Sequence, residues 1–204
     1  MKIERKYYPI SGYKIPRIFQ YSRFFSLGVH WVFQNMLNMD FTELLFKLSI
    51  DIFFTILFSL LIARWFHLFF AIAAGFFLAH SINFLFNSQI FVVLKFFGNI
   101  RHELSEFEDY IGAIKNRLGG EPSIRWGAIY GSMARGELKT TSDLDIRFIR
   151  YPGFYYGIRA CWFVLKERSR AHISRFPIDF LVFDSPRLLK RLRPDEHPII
   201  IHEP

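Results

Sequence analysis

Asp143 and Asp145 stand two residues apart in SDLDIRFIR, a stretch with the apolar-polar alternation of a strand. Residues two apart in a strand face the same way. Both carboxylates therefore project from one face, where their repulsion favours a cation between them. Oxygen ligands of this kind suit a hard divalent ion, and Mg²⁺ is the usual choice where phosphates complete its shell. Asp179, in the apolar run PIDFLVF, offers a third carboxylate. Flanked by Ile178 and Phe180 it needs a cation or donors to offset its desolvation. If its strand neighbours the first, three acids converge.

Gly131 and Ser132 open the polar passage GSMARGELKTT before the paired acids. Gly131 ends one predicted strand, IRWGAIY over 124–130, and SMARGEL reads as a short helix. A glycine lets a phosphate approach the backbone. A helix start presents N–H donors to it. The Ser132 hydroxyl can donate to a phosphate oxygen, and Arg135 can add a charge-assisted contact. Taken singly, each feature has a plainer reading. Gly-Ser is a common turn, Asp-x-Asp is often a solvated strand end, and Asp179 alone reads as a strand acid paired with an arginine. Together they are what phosphoryl or nucleotidyl transfer requires: a phosphate cradle facing metal-binding acids.

The elements that must position these residues follow from periodicity. In RHELSEFEDYIGAIKNRLGG, Leu104, Phe107, Ile111, Ile114 and Leu118 recur every three or four residues, and Gly119-Gly120 ends an amphipathic helix. Strands are expected over 124–130, 142–150 and 177–183, with a helix over 153–174 between the last two. The order α-β-α-β-α-β predicts an α+β domain: a small mixed β-sheet flanked by helices. On the helix over 153–174, Arg159, Lys166 and Arg170 share a side, as a solvated face or as contacts to phosphates or lipid headgroups.

The preceding part is of another character. The chain has 204 residues and a formal net charge of +8, which favours an anionic partner. Of its 26 Phe, 15 lie between Phe41 and Phe97. Residues 44–63 and 68–86 are apolar runs of near-membrane length, separated only by RWFH. A buried hairpin of a soluble protein would satisfy the same pattern; a membrane helical hairpin is the preferred reading. Lys47 can snorkel, and Asp51 needs a partner, Lys47 at i+4 spacing being one. Trp65 and His67 at the turn suit an interfacial belt. His80 and Asn83 suit an interhelical hydrogen bond or a headgroup. Lys and Arg crowd the flanks while the turn holds only Arg64, so the positive-inside bias puts both termini and the later domain on the cytoplasmic side of the membrane. Residues 1–40 are basic and aromatic, read as a loop or tail followed by a short helix near 24–37. The run QIFVVLKFFG over 89–98 is too short to span and reads as interfacial. The chain thus divides into a basic aromatic segment (1–43), a hydrophobic hairpin (44–98) and an α+β domain (99–204). No cleavable signal peptide is visible. The single cysteine, Cys161, excludes an internal disulfide or a multi-cysteine zinc site.

GSMARGELKTTSDLDI, with Asp179 on a later strand, resembles the signature of the minimal nucleotidyltransferases in the DNA polymerase beta superfamily. The resemblance covers residues 101–184. It implies the nucleotidyltransferase fold, with Asp143 and Asp145 binding metal and Asp179 sharing a second ion and helping to activate the attacking group. It implies two Mg²⁺ ions, Mn²⁺ being the alternative, and an NTP, ATP by default. The triphosphate would lie on Gly131 and Ser132, with Arg135 beside them, and pyrophosphate would leave. The acceptor is left open, lipid-linked or protein. Stable nucleic-acid binding is not expected, because few residues follow Asp179 to form a template-holding domain. A non-catalytic nucleotide-binding or regulatory module on the same fold is the alternative reading.

Overall fold

The computed structural model describes residues 23–87, 90–94, 100–191 and 197–203. The N-terminal tail expected before the first helix, and the end of the 89–98 run, lie outside them. Helix α1 (Arg23–Phe33) and a 3₁₀ turn (Met36–Asn38) lead into α2 (Phe41–Ile62). A turn over 63–67 joins it to α3 (Leu68–Asn87), followed by the short α4 (Ile90–Leu94). The α+β part then runs α5 (Leu104–Gly119), β1 (Ile124–Tyr130), α6 (Gly131–Ala134), β2 (Leu144–Arg150), α7 (Phe154–Ile173), β3 (Ile178–Phe183), a 3₁₀ segment (Pro186–Arg191) and β4 (Ile199–His202).

The apolar runs form two long helices packed as a hairpin. Asp40 caps α2 by accepting from Phe41 N at 2.8 Å, and Glu43 adds an acid to the first turn. At Gly75 a Cβ would overlap Ser59 Oγ, so this glycine is what lets α2 and α3 approach so closely. Outside that seam the hairpin presents Phe53, Leu60, Phe69 and Phe77 outward. Its 22 residues of α2 measure about 33 Å at 1.5 Å per residue, close to a bilayer's hydrocarbon core of about 30 Å. Asp51 finds its partners on the facing helix: His80 Nδ1 at 2.8 Å and Asn83 Nδ2 at 2.9 Å. His80 Nε2 lies 2.9 Å from the Trp31 carbonyl, which ties α1 to the pair. Lys47 donates to the Asn87 carbonyl at 2.8 Å.

The sheet is mixed, in order β3-β2-β1-β4. β2 runs antiparallel to β1 and parallel to β3, with α7 as the crossover between the parallel strands. Even-numbered residues of β2 and β3 face the core: Leu144, Ile146, Phe148, Ile178, Phe180 and Val182. They pack against Phe107, Ile114 and Leu118 of α5 and Phe163 and Val164 of α7. Full burial of side chains such as Phe107, Phe148 and Phe180 contributes roughly 1.5–3 kcal/mol each. Odd-numbered residues, among them Asp145 and Asp179, face the other side.

β4 was not anticipated. It pairs antiparallel with the outer side of β1 and buries only Ile201. The other sheet edge, β3, is closed by the foot of the hairpin. Val182 N donates to Glu43 Oε2 at 2.9 Å, and Asp184 N donates to Asp40 Oδ2 at 2.8 Å. Arg168 of α7 bonds Glu43 and donates to the Phe180 carbonyl at 2.6 Å and to Asn87 Oδ1 at 2.8 Å. Edge groups that would otherwise template another strand are thus capped by side chains. The Glu43–Arg168 pair at this joint is almost wholly buried, so the hairpin and the sheet are one packed body.

Candidate active site

The end of β1 and the starts of β2 and β3 meet at one end of the sheet. β2 and β3 are parallel and in a register that pairs Asp145 with Asp179, one strand spacing apart. Tyr130, the last residue of β1, is paired with Asp145 from the other side. Gly131 follows with φ +71°, a left-handed conformation that favours glycine. A Cβ there would overlap Asp145 Oδ2, so the turn brings bare backbone against the carboxylate. The single-turn α6 ends at Ala134, shorter than the expected 132–138 helix. The chain then turns back through Gly136 (φ +69°), and Glu137 N donates to the Ser132 carbonyl at 2.8 Å. Ser132 Oγ is buried with no hydrogen-bond partner among the described residues. An orphaned hydroxyl beside a half-buried glycine turn is a donor that a ligand oxygen could satisfy.

Asp143 precedes β2, and its field reaches the site's cation. That cation is Arg147, which the sequence reading did not single out. Its Nη2 is 2.7 Å from Asp179 Oδ2 and 3.3 Å from Asp145 Oδ1, and its Nη1 donates to the Asp179 carbonyl at 2.7 Å. Burial acts to lower the guanidinium pKa, but Asp179, Asp145 and Asp143 outweigh it and the net shift is upward. Positions 143, 145 and 147 share a face by the period of two, so the rule that aligned the aspartates also placed Arg147. Asn35, from the turn after α1, donates to Asp179 Oδ1 at 3.3 Å. Its φ of +61° marks a tight turn, but no local pattern could connect residues 144 positions apart.

The structure therefore gathers Gly131, Ser132, Asp143, Asp145 and Asp179 at one end of the sheet. Arg135 stands beside them on the loop after α6, bonded to Glu137 at 2.9 Å. The Asp145 and Asp179 side chains keep 22% and 16% of their surface exposed, so the site opens to solvent. Among the described residues no three His, Cys, Asp or Glu side chains gather at metal-ligand spacing. The donor chemistry of Asp143 and Asp145 fits a hard divalent ion, with Gly131 and Ser132 beside it for phosphate. Asp179 instead has its charge balanced by Arg147. The three basic residues on α7 have local partners: Arg159 bonds Glu121, Arg170 bonds Glu167, and Lys166 lies 5.9 Å from the centre of the Trp162 ring. No protein-family model matches the chain, and no curated protein matches it in sequence.

Proposed function

We propose that the protein is a membrane-held, Mg²⁺-dependent nucleotidyltransferase that moves a nucleoside monophosphate from an NTP to a lipid-linked or protein acceptor. The observation that carries this reading is the in-register pair Asp145–Asp179 facing a left-handed Gly131 and an unpartnered Ser132 hydroxyl. Asp143 and Asp145 would hold the metal, which when bound neutralises the triphosphate and makes the α-phosphorus more electrophilic. The Gly131 and Ser132 backbone and the Ser132 hydroxyl receive phosphate oxygens. Arg147 and Asn35 orient Asp179. The acceptor oxygen bonds to the α-phosphorus and the bond to the bridging oxygen breaks. Pyrophosphate leaves with the electron pair, and the acceptor's proton passes to Asp179 and on to water.

The hairpin supplies the membrane. Its length, its outward Phe and Leu side chains and the Arg64–Trp65–His67 turn suit a span that puts the catalytic domain and both termini on the cytoplasmic side. Because Glu43 and Arg168 fix the hairpin to the sheet, the site would sit at a set distance from the bilayer, beside a lipid-linked or membrane-protein acceptor.

A second reading has its own support. Arg147 occupies the space between Asp145 and Asp179, as in a nucleotide-binding module that keeps the fold without turnover. Pyrophosphate release separates the two. Detergent-solubilised protein with Mg²⁺ and each NTP should release pyrophosphate, and the doubly substituted Asp143→Ala/Asp145→Ala protein should not. Stimulation by a membrane-lipid extract would point to a lipid acceptor. Nucleotide binding without release under every condition would favour the module.

A further inference from the structure

We propose that α7 is a second membrane contact, lying in the headgroup region of the bilayer that the hairpin enters. This rests on the membrane reading of the hairpin. A helix covering a sheet in water buries one side and shows polar residues on the other. α7 buries Ala160, Cys161, Val164 and Ala171 as expected. Its outward side, however, carries Tyr155, Ile158, Trp162 and Ile173, all exposed, with Phe154 exposed at its start. They recur at helical spacing along a single side, which an isolated surface residue would not do.

The placement of α7 gives this stripe its occupant. The helix runs across both feet of the hairpin. Gly157 lies under Thr42 at the start of α2, where a Cβ would come within 2.9 Å of the threonine methyl. Further along, Arg168 bonds both Glu43 of α2 and Asn87 of α3. The His172 ring then packs 5.0 Å from Phe86 and 5.3 Å from Phe91. α7 thus lies crosswise at the level where the hairpin leaves the sheet, which in a spanning hairpin is the membrane surface. Trp162 meets Phe46 edge-on at 6.5 Å and so joins the stripe to the outward face of α2, where Leu45 and Leu48 are exposed. The charges agree. Lys166, exposed and folded over the Trp162 ring, puts a cation beside the stripe, as on helices lying at anionic headgroups, while Arg159 and Arg170 are paired with Glu121 and Glu167. Tryptophan and tyrosine also favour this depth, where the ring is apolar and its N–H or O–H stays wet.

The test uses the full chain in vesicles of phosphatidylcholine and phosphatidylglycerol brominated on the acyl chains. Trp162→Phe and Trp65→Phe each remove one emitter, and the difference from the parent protein reports that tryptophan alone. Trp162 emission should be quenched by the brominated lipid and shielded from aqueous acrylamide, so Trp162→Phe should lose lipid-quenchable emission only. Quenching by acrylamide alone would put Trp162 in water and overturn the proposal. Quenching by neither would mean that protein, such as a second copy of the chain, covers the stripe, which also overturns it. Trp65, in the hairpin turn, separates the two readings. If lipid quenches Trp65 but not Trp162, only this proposal fails; if it quenches neither, the membrane hairpin fails as well.

Discussion

Arg168 and Arg147 are both buried, and each bonds a carboxylate and a β3 carbonyl, yet their surroundings differ. Arg168 and Glu43 are each 2% exposed at the side chain, and Val182 N, Asn87 and the Phe180 carbonyl add further hydrogen bonds to them. Arg147 serves two carboxylates at once, both open to water. The first cluster has the form of a structural joint, in which opposite charges are buried against each other. The second sets two carboxylates that water reaches against one guanidinium, and the field of Asp143 reaches it as well. Carboxylates that solvent can reach are what a cation-dependent site needs, and what a structural joint avoids.

The largest expected effect is at the joint. Glu43→Ala leaves Arg168 buried without its carboxylate and Val182 N without an acceptor. Breaking a buried pair from one side costs about 3–5 kcal/mol. Chemical denaturation in detergent should show a loss of that size, and Mg²⁺ should not restore it. A loss below about 1 kcal/mol would mean that the hairpin and the sheet do not depend on each other as their packing implies.

Arg147→Ala sharpens the contrast at a smaller scale. It leaves Asp145 and Asp179 facing each other, but water reaches both. The cost should be about 1–3 kcal/mol at low Mg²⁺. A divalent ion can replace the lost charge, so Mg²⁺ should raise the melting temperature of this variant more than that of the parent. Equal Mg²⁺ responses would count against a divalent site at these acids.

These differences bear on what could be read from the residues in advance. β1, the β2 and β3 cores, α5 and α7 were legible because each has an apolar period of two or between three and four, and a proline or glycine marks most of their ends. β4 was not: IIIH is short, and only Ile201 is buried. What makes it a strand is the open edge of β1, which is a tertiary fact. In the site, the aspartates, Gly131 and Ser132 stood out by type and spacing. Arg147 carries the same spacing, but a single cation in a strand does not mark a site until its neighbours, Asp145 and Asp179, are known. Glu43 and Arg168 lie 125 positions apart. A charge at the head of an apolar helix announces a need for a partner but not its identity. Asp51 shows the same limit: its i+4 neighbour Lys47 was the local candidate, and the bonds described come from His80 and Asn83 across the hairpin.

An effect absent at neutral pH and seen only in alkali uses Cys161 as a reporter inside the joint. Burial, and then the Glu43 charge, push its thiol up to about 12, while Arg168, Arg150 and the other nearby charges act less strongly. The folded pKa lies above the ordinary value of 9.0, so folded protein holds a proton that the unfolded chain releases. The associated stability is fully present below pH 9 and is lost as pH rises toward 12. Across that window the thiol's share falls by about 1.4 kcal/mol per pH unit. The decline in stability should be shallower in Cys161→Ala, which has no thiol to titrate. At pH 8 iodoacetamide should leave the folded parent unmodified and label it after denaturation. Glu43→Ala removes an anion that disfavours the thiolate and leaves Arg168 beside it, so in that variant the thiol should react faster at the same pH. A rate unchanged from the parent would mean that the thiol does not sense the Glu43–Arg168 pair, and that the joint is looser around Cys161 than its burial indicates.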